Sequence, residues 1–213
     1  MIYHEFHELK LSALGFGTMR LPLIPGGGEQ DIDQETLDRM VDCAIAGGVN
    51  YFDTAYSYHG GCSELAIGKS LARYPRESFY LADKFPGHQI VKGVKKLDPE
   101  TIFEEQLKKC GVEYFDFYLL HNINEHSMSY YGNPENKYLD YFLEQKANGR
   151  IKHLGFSCHS AAEGLEQFLQ MCGDKMEFCQ IQLNYLDWTL QNAKKKCEIL
   201  KAHGLPVWVM EPV

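Results

Sequence analysis

The sequence predicts an α/β fold with a parallel sheet, because helical segments and apolar strands alternate along most of its length. Most of the predicted helices end at a glycine, which suits a helix stop, and a short apolar run follows at once. These runs are nearly continuous in their apolar character, as expected when helices cover both faces of a parallel sheet. The 213 residues are 45% hydrophobic and 23% charged, which is ample apolar material for a core.

The first predicted elements are a short hairpin and a loop. Tyr3 to Phe6 and Lys10 to Leu14 are expected to pair as strands, and the Gly- and Pro-rich residues 22–28 to form a loop. Gly15-Phe16-Gly17 and Gly26-Gly27-Gly28 are predicted to be turns, because neither connects a strand to a helix. A Rossmann dinucleotide site is therefore not expected.

Repeating helix–strand units follow in order. Apolar residues at helical spacing, with Asp98 and Pro99 as one start signal, predict helices at 34–46, 63–73, 99–110, 138–148, 162–172 and 190–203. Apolar runs predict strands at 49–52, 79–82, 115–120, 152–156, 178–183 and 206–210. Such an array fits either a doubly wound sheet or a TIM barrel. The six predicted units are fewer than the eight of a TIM barrel, which typically needs about 250 residues. Because the chain also ends on a strand, we expect a single domain over 1–213 that lacks its last strands.

Composition excludes several classes of function. The net charge of −8 argues against a broad nucleic-acid surface, and Lys194 to Lys196 are expected to form a solvated helix face. No apolar stretch approaches the ~18 residues that span a membrane, and the N-terminus does not resemble a signal peptide. The seven cysteines are scattered without a CxxC pair, so no local metal site is predicted, and reduced thiols indicate the cytoplasm.

Ionisable residues stand at the ends of three successive predicted strands. Asp53, Lys84 and His121 each follow an apolar run that must be buried. In a parallel barrel the carboxyl ends of the strands surround one mouth, so distant residues meet there. Burying unpaired charge is costly, and pairing relieves the cost. The pattern therefore predicts one shared site. A salt-bridged rim that only stabilises the barrel is the alternative.

These residues resemble the aldo-keto reductase family. Asp53 to Tyr58, then Lys84, then His121, are similar to its signature in order, spacing and strand context. Gly155 to His159 and Met210-Glu211-Pro212 are most similar to a bacterial branch. The resemblance implies a (β/α)8 TIM barrel of aldo-keto reductase type, incomplete here with about six of its eight units. Many members of that branch carry a C-terminal iron–sulfur-like segment, and the resemblance places any such cluster beyond this chain.

The resemblance also implies the catalytic roles. Tyr58 would be the general acid for carbonyl reduction, with Asp53 orienting Lys84 and His121 donating a hydrogen bond to the carbonyl oxygen. We expect the Lys84 ammonium to lower the pKa of Tyr58 from its ordinary value near 10. Spacing alone does not separate Tyr58 from Tyr56, and the family pattern selects Tyr58.

The implied cofactor is a nicotinamide dinucleotide, usually NADP(H), and the implied substrate is a small carbonyl compound. Ser157 and Gln180 would bind the carboxamide, and Met210 stands where many relatives have an aromatic ring that stacks on the nicotinamide. The residues expected to line the nearby ribose are Thr18, Met19 and Asp53. Loop 126–137 is a candidate substrate wall or a solvent-exposed loop.

Three other readings remain open from the sequence. A nicotinamide-binding regulatory or scaffold protein would bind cofactor without turnover. A six-strand fragment could be inactive. An aldolase would use Lys84 as a Schiff base and would need it without a tightly held carboxylate partner.

Overall fold

The fold is seen in a computed structural model that describes residues 1–90 and 98–212. Its strands are β1 Tyr3–Phe6, β2 Leu9–Ser12, β3 Phe16–Gly17, β4 Tyr51–Asp53, β5 Tyr80–Phe85, β6 Phe115–Ile123, β7 Ile151–Cys158, β8 Cys179–Gln182 and β9 Val207–Met210. Its helices are α1 Gln34–Ala46, α2 Ser63–Leu71, α3 Gly87–Ile90, α4 Pro99–Cys110, α5 Met128–Tyr131, α6 Tyr138–Ala147, α7 Ala162–Cys172, α8 Asp187–Leu190 and α9 Ala193–Ala202.

Two sheets are present in the described residues. β1 and β2 form an antiparallel hairpin, as predicted, and β3 to β9 are hydrogen-bonded in the order in which they occur in the chain. The pairs β3–β4, β4–β5, β7–β8 and β8–β9 are parallel. Sequential parallel strands joined by helices confirm the predicted α/β class.

The chain divides into two compact units. The first comprises Met1–Lys84 and Ile102–Phe117, and the second comprises the described residues of Phe85–Thr101 and Tyr118–Val213. In the first unit Asp33 is the N-cap of α1, and its side chain accepts the Thr36 amide at 3.0 Å. Helices α2 and α4 approach closely at Gly68, where a Cβ would lie 2.6 Å from the Cys110 carbonyl oxygen.

The second unit has an aromatic core. Phe85 and Tyr118 both contact the ring of Phe142, with centroids 5.0 and 4.9 Å apart. Farther along the chain, the Phe178 ring stacks on Trp208 at 4.1 Å. Aromatic pairs at these separations add to the stabilisation that burial of their apolar surface provides.

Two predicted elements differ from the structure. Phe16 and Gly17 are not a turn but a two-residue strand, β3, paired in parallel register with Phe52 and Asp53. A strand of this length has too few residues to show a pattern. The helix predicted at 190–203 begins later, at Ala193, because Asn192 adopts φ 51° and the chain turns there; the short helix α8 lies before this turn. Strands β5 and β6 also extend farther than predicted, so Lys84 and His121 lie within them.

None of the helices in the described ranges is long and apolar enough to span a bilayer.

Candidate active site

Asp53, Tyr58 and Lys84 come together in the first unit. Asp53 is paired in register with Ala82, two residues before Lys84, so the Asp53 and Lys84 side chains leave the sheet on the same face. The Lys84 ammonium forms an ion pair with Asp53 Oδ1 and donates to the Thr54 carbonyl oxygen at 2.7 Å. It also lies 3.5 Å from the Tyr58 hydroxyl oxygen.

The ammonium is buried but remains charged. Lys84 is 1% exposed, and burial opposes its charge, but the Asp53 carboxylate together with Tyr58 and Asp83 outweighs burial, and the pKa of Lys84 is raised. A buried lysine held in this way is a fixed positive charge at neutral pH.

The expected lowering of the Tyr58 pKa was wrong. Burial raises the pKa of the phenol, and the opposing effect of Lys84 is smaller. Asp53 contributes in the same direction as burial, because its negative charge disfavours a phenolate. Tyr58 is therefore a protonated phenol at neutral pH.

Two side chains that the sequence did not single out, those of Tyr51 and His59, hold Asp53 and Tyr58 in place. The Tyr51 hydroxyl donates to Asp53 Oδ2 at 3.2 Å. His59 follows Tyr58 in a 3-10 turn, where its Nε2 accepts the Leu21 amide at 2.9 Å. Its Nδ1 can therefore donate to the Glu29 carbonyl oxygen, 2.8 Å away. The sequence signal that could have identified His59 was the position of an ionisable residue directly after Tyr58.

The structure distinguishes Tyr56 from Tyr58. The Tyr56 hydroxyl donates to Glu105 Oε2 at 3.2 Å, and the Lys109 ammonium lies 4.4 Å from the centre of its ring. Tyr56 is therefore engaged with α4, whereas Tyr58 contacts Lys84.

Of the residues expected to line a ribose, Thr18 is fully buried and Met19 is half exposed. The Thr18 hydroxyl donates to the Asp53 carbonyl oxygen at 3.0 Å and accepts from the Ser63 hydroxyl at 2.7 Å. Thr18 therefore supports the end of β4.

His121 lies near the end of β6 in the second unit and is 8% exposed. The Tyr131 hydroxyl lies 2.9 Å from the His121 carbonyl oxygen and 3.1 Å from that of Phe85. The His88 ring meets the His121 ring edge to face, with centroids 4.7 Å apart. Tyr130 and Tyr131 of loop 126–137 are both buried, so these rings pack in the core.

Ser157 and Gln180 are partners in register on the neighbouring strands β7 and β8, and both are buried. The Ser157 hydroxyl oxygen accepts the Asn122 amide at 2.8 Å, so the hydroxyl hydrogen of Ser157 can be donated to another group. A hydroxyl donor beside a side-chain amide fits a ligand that carries an amide group. Met210 ends β9, the strand next to β8, and is partly buried.

Comparison with known proteins identifies the family. The model of the aldo/keto reductase family matches residues 13–213. The chain is 26% identical to the NADH-specific methylglyoxal reductase of Escherichia coli, over 97% of this chain and 65% of that protein. It is 28% identical to a probable aldo-keto reductase of Glycine max, over 70% of this chain and 42% of that protein. The chain thus spans less than two thirds of the length of both relatives.

Solved structures show the same fold. A thermostable aldo-keto reductase crystallised with the inhibitor epalrestat superposes with a TM-score of 0.73 at 25% identity, over 97% of this chain and 71% of the other. An aldo-keto reductase from Klebsiella pneumoniae in complex with NADPH gives a TM-score of 0.69 at 21% identity, over 94% of this chain and 63% of the other. The fold class implied by the sequence resemblance is confirmed.

Proposed function

The chain belongs to the aldo/keto reductase family, and we propose that the protein is a nicotinamide-dependent oxidoreductase that interconverts small aldehydes or ketones and alcohols. The observation that carries the proposal is the buried Lys84 ammonium, which is paired with Asp53 and lies 3.5 Å from the Tyr58 hydroxyl. A structural salt bridge would not need a phenol in contact with the cation.

Tyr58 is the proposed general acid. Its raised pKa keeps the proton on the phenol until the substrate oxygen gains negative charge. An alkoxide is a stronger base than a phenolate, so the proton then moves from Tyr58 to that oxygen. The Lys84 ammonium stabilises the phenolate that remains, and Asp53 keeps Lys84 charged and oriented. We assign to His121 a hydrogen bond to the carbonyl oxygen.

The aldolase reading is disfavoured by the same geometry. A Schiff-base lysine must be neutral to attack a carbonyl group. Lys84 is ion-paired with Asp53, and its pKa is raised. This arrangement stabilises the charged form, which cannot act as a nucleophile.

A reduced nicotinamide cofactor, when bound, supplies the hydride. We propose that Ser157 and Gln180 bind its carboxamide, which the paired donor and amide groups on β7 and β8 support. Met210 would pack on the nicotinamide ring. Thr18, Met19 and Asp53 are the proposed neighbours of the ribose. NADPH is the expected cofactor, and NADH is the alternative, because one relative is named as NADH-specific.

The proposal is tested with the longest natural form of the protein. NADPH and NADH are titrated separately by fluorescence, and cofactor oxidation is then followed with a panel of aldehydes, ketones and quinones that includes methylglyoxal. Saturable binding with turnover of at least one carbonyl compound is expected. Cofactor binding without turnover across the panel would favour a regulatory protein, and absence of binding would contradict the proposal.

A further inference from the structure

A second group of buried polar residues lies on the face of β5 opposite the Lys84 side chain. Asp83 precedes Lys84 in β5, and neighbouring residues of a strand point to opposite faces of the sheet. Asp83, Glu64 of α2 and Gln106 of α4 have no exposed surface. Polar groups are rarely buried to this extent without a structural or functional reason.

Two of these side chains bond the backbone of Lys84. Asp83 Oδ1 accepts the Lys84 amide at 2.8 Å, and Gln106 Nε2 donates to the Lys84 carbonyl oxygen at 3.1 Å. Both polar backbone groups of Lys84 are thus bonded by side chains from the face opposite its ammonium.

Burial and a neighbouring acid together keep Asp83 protonated. Glu64 is paired with Lys109 at 3.0 Å, and Lys109 is also 2.9 Å from Glu105. Burial raises the pKa of Asp83 well above its usual range, and the neighbouring Glu64 raises it further. A protonated Asp83 can accept the Lys84 amide and donate to Glu64 at the same time.

We propose that Asp83, supported by Glu64 and Gln106, is a positioning residue that fixes the Lys84 backbone so that its ammonium stays beside Asp53 and Tyr58. This inference rests on the proposed function. A lysine side chain is long and flexible, so its head is held closely only if its backbone is also fixed. A misplacement of about 1 Å in a catalytic arrangement can cost about 100-fold in rate.

Two substitutions at Asp83 distinguish the effect of its hydrogen bonds from the effect of its acidic group. Asp83→Asn resembles the protonated acid, because its oxygen accepts and its amide donates, and we expect kcat within about threefold of the parent. Asp83→Ala removes the acceptor, and we expect kcat to fall at least about tenfold. Gln106→Ala removes the bond to the Lys84 carbonyl oxygen. It should change kcat in the same direction, and it provides a second test if Asp83→Ala does not fold.

A second readout needs no turnover. The ultraviolet titration of the Tyr58 phenol, assigned by its absence in Tyr58→Phe, should move to higher pH in Asp83→Ala and Gln106→Ala but not in Asp83→Asn. If the parent reduces no carbonyl compound, the proposed function fails and this titration alone decides the positioning role. Parental titration in both Asp83→Ala and Gln106→Ala would overturn the inference.

Asp116 offers a matched control. Its Oδ2 accepts the amide of Leu81, in the same strand as Lys84, at 2.9 Å. Asp116→Ala should lower thermal stability as Asp83→Ala does, but leave kcat and the Tyr58 titration unchanged. If Asp116→Ala alters them as much as Asp83→Ala, the effect is general loosening of β5 and the inference is wrong.

Discussion

The Lys84 ammonium lies 3.5 Å from the Tyr58 hydroxyl, yet the pKa of that phenol is raised. Burial penalises a phenolate, and the charge of Lys84 is largely balanced by Asp53. The arrangement therefore holds a proton on Tyr58 at neutral pH rather than preparing a phenolate. This is what a general acid for carbonyl reduction needs before the substrate oxygen becomes basic.

Replacing Lys84 with methionine should impair both activity and stability. The change leaves the mostly buried Asp53 without its cation, which typically costs about 3–5 kcal/mol of unfolding free energy. The raised pKa of Lys84 means that the pair stabilises fully below the ordinary lysine value of 10.5. That stabilisation is lost as pH rises through the folded-state pKa. Urea unfolding of Lys84→Met against the parent should therefore show a constant difference at neutral pH that shrinks only in strong alkali.

Lys69 provides the control for that experiment, because it is an exposed lysine on α2 of the same unit. Lys69→Met should change stability by no more than about 0.5 kcal/mol. An equal loss in both variants would show that the Asp53 pair does not stabilise the fold.

Removal of the polar groups at the ends of β7 and β8 should weaken cofactor binding. Ser157→Ala and Gln180→Ala each delete one proposed bond to the carboxamide, and each should raise the Kd of NADPH about tenfold, equivalent to about 1.4 kcal/mol. Fluorescence titration measures the Kd. The exposed Ser129 is a suitable control, since Ser129→Ala should bind like the parent. Parental affinity in both test variants would exclude these residues from the cofactor site.

Tyr131 should influence catalysis through His121. Its hydroxyl lies 2.9 Å from the His121 carbonyl oxygen, so Tyr131→Phe should cost about 1–3 kcal/mol of stability and lower kcat/KM for carbonyl reduction. Tyr138 is a matched buried tyrosine whose hydroxyl donates to the Tyr131 carbonyl oxygen at 2.6 Å. Tyr138→Phe should lose similar stability with a smaller effect on kcat/KM. A larger loss of kcat/KM in Tyr138→Phe than in Tyr131→Phe would show that Tyr131 does not act through His121.

Glu177 should make the second unit sensitive to acid. Burial opposes its charge, but hydrogen bonds from His153 and Lys146, at 2.8 and 2.7 Å, and from the Leu154 amide lower its pKa to about 2. Its contribution of about 3 kcal/mol is present above the ordinary value of 4.5 and is lost as pH falls toward 2. Glu177→Gln should therefore be less stable than the parent at neutral pH and equally stable near pH 2. If the difference in thermal stability between Glu177→Gln and the parent stayed constant from neutral pH to pH 2, this assignment would be wrong.

The sequence predicted much of the fold because its signals were local. Asp98 and Pro99 start a helix in a recognisable way, and α4 begins at Pro99 as expected. Asp53 and Lys84 could be placed together because parallel strands carry their carboxyl ends to one edge. β3 was missed because Phe16 and Gly17 are a strand only through their pairing with β4.

Other features depend on tertiary contacts that no local pattern encodes. The pKa direction of Tyr58 depends on how deeply the ring is buried and on how far Asp53 balances Lys84. The interaction of Asp83 with Glu64 joins a strand to a helix, and each appeared in the sequence as a single acid within an apolar segment. An acid at such a position is the signal that could have identified this network.

The central claim is that Tyr58 delivers the proton, and the most direct measurement is kcat for aldehyde reduction by Tyr58→Phe, with the Kd of NADPH measured on the same sample. Tyr56→Phe is the control, because Tyr56 bonds Glu105 and not Lys84. Tyr58→Phe should lose at least about 100-fold in kcat and retain the parental Kd, whereas Tyr56→Phe should remain active. Aldehyde reduction by Tyr58→Phe at the parental rate would contradict the assignment.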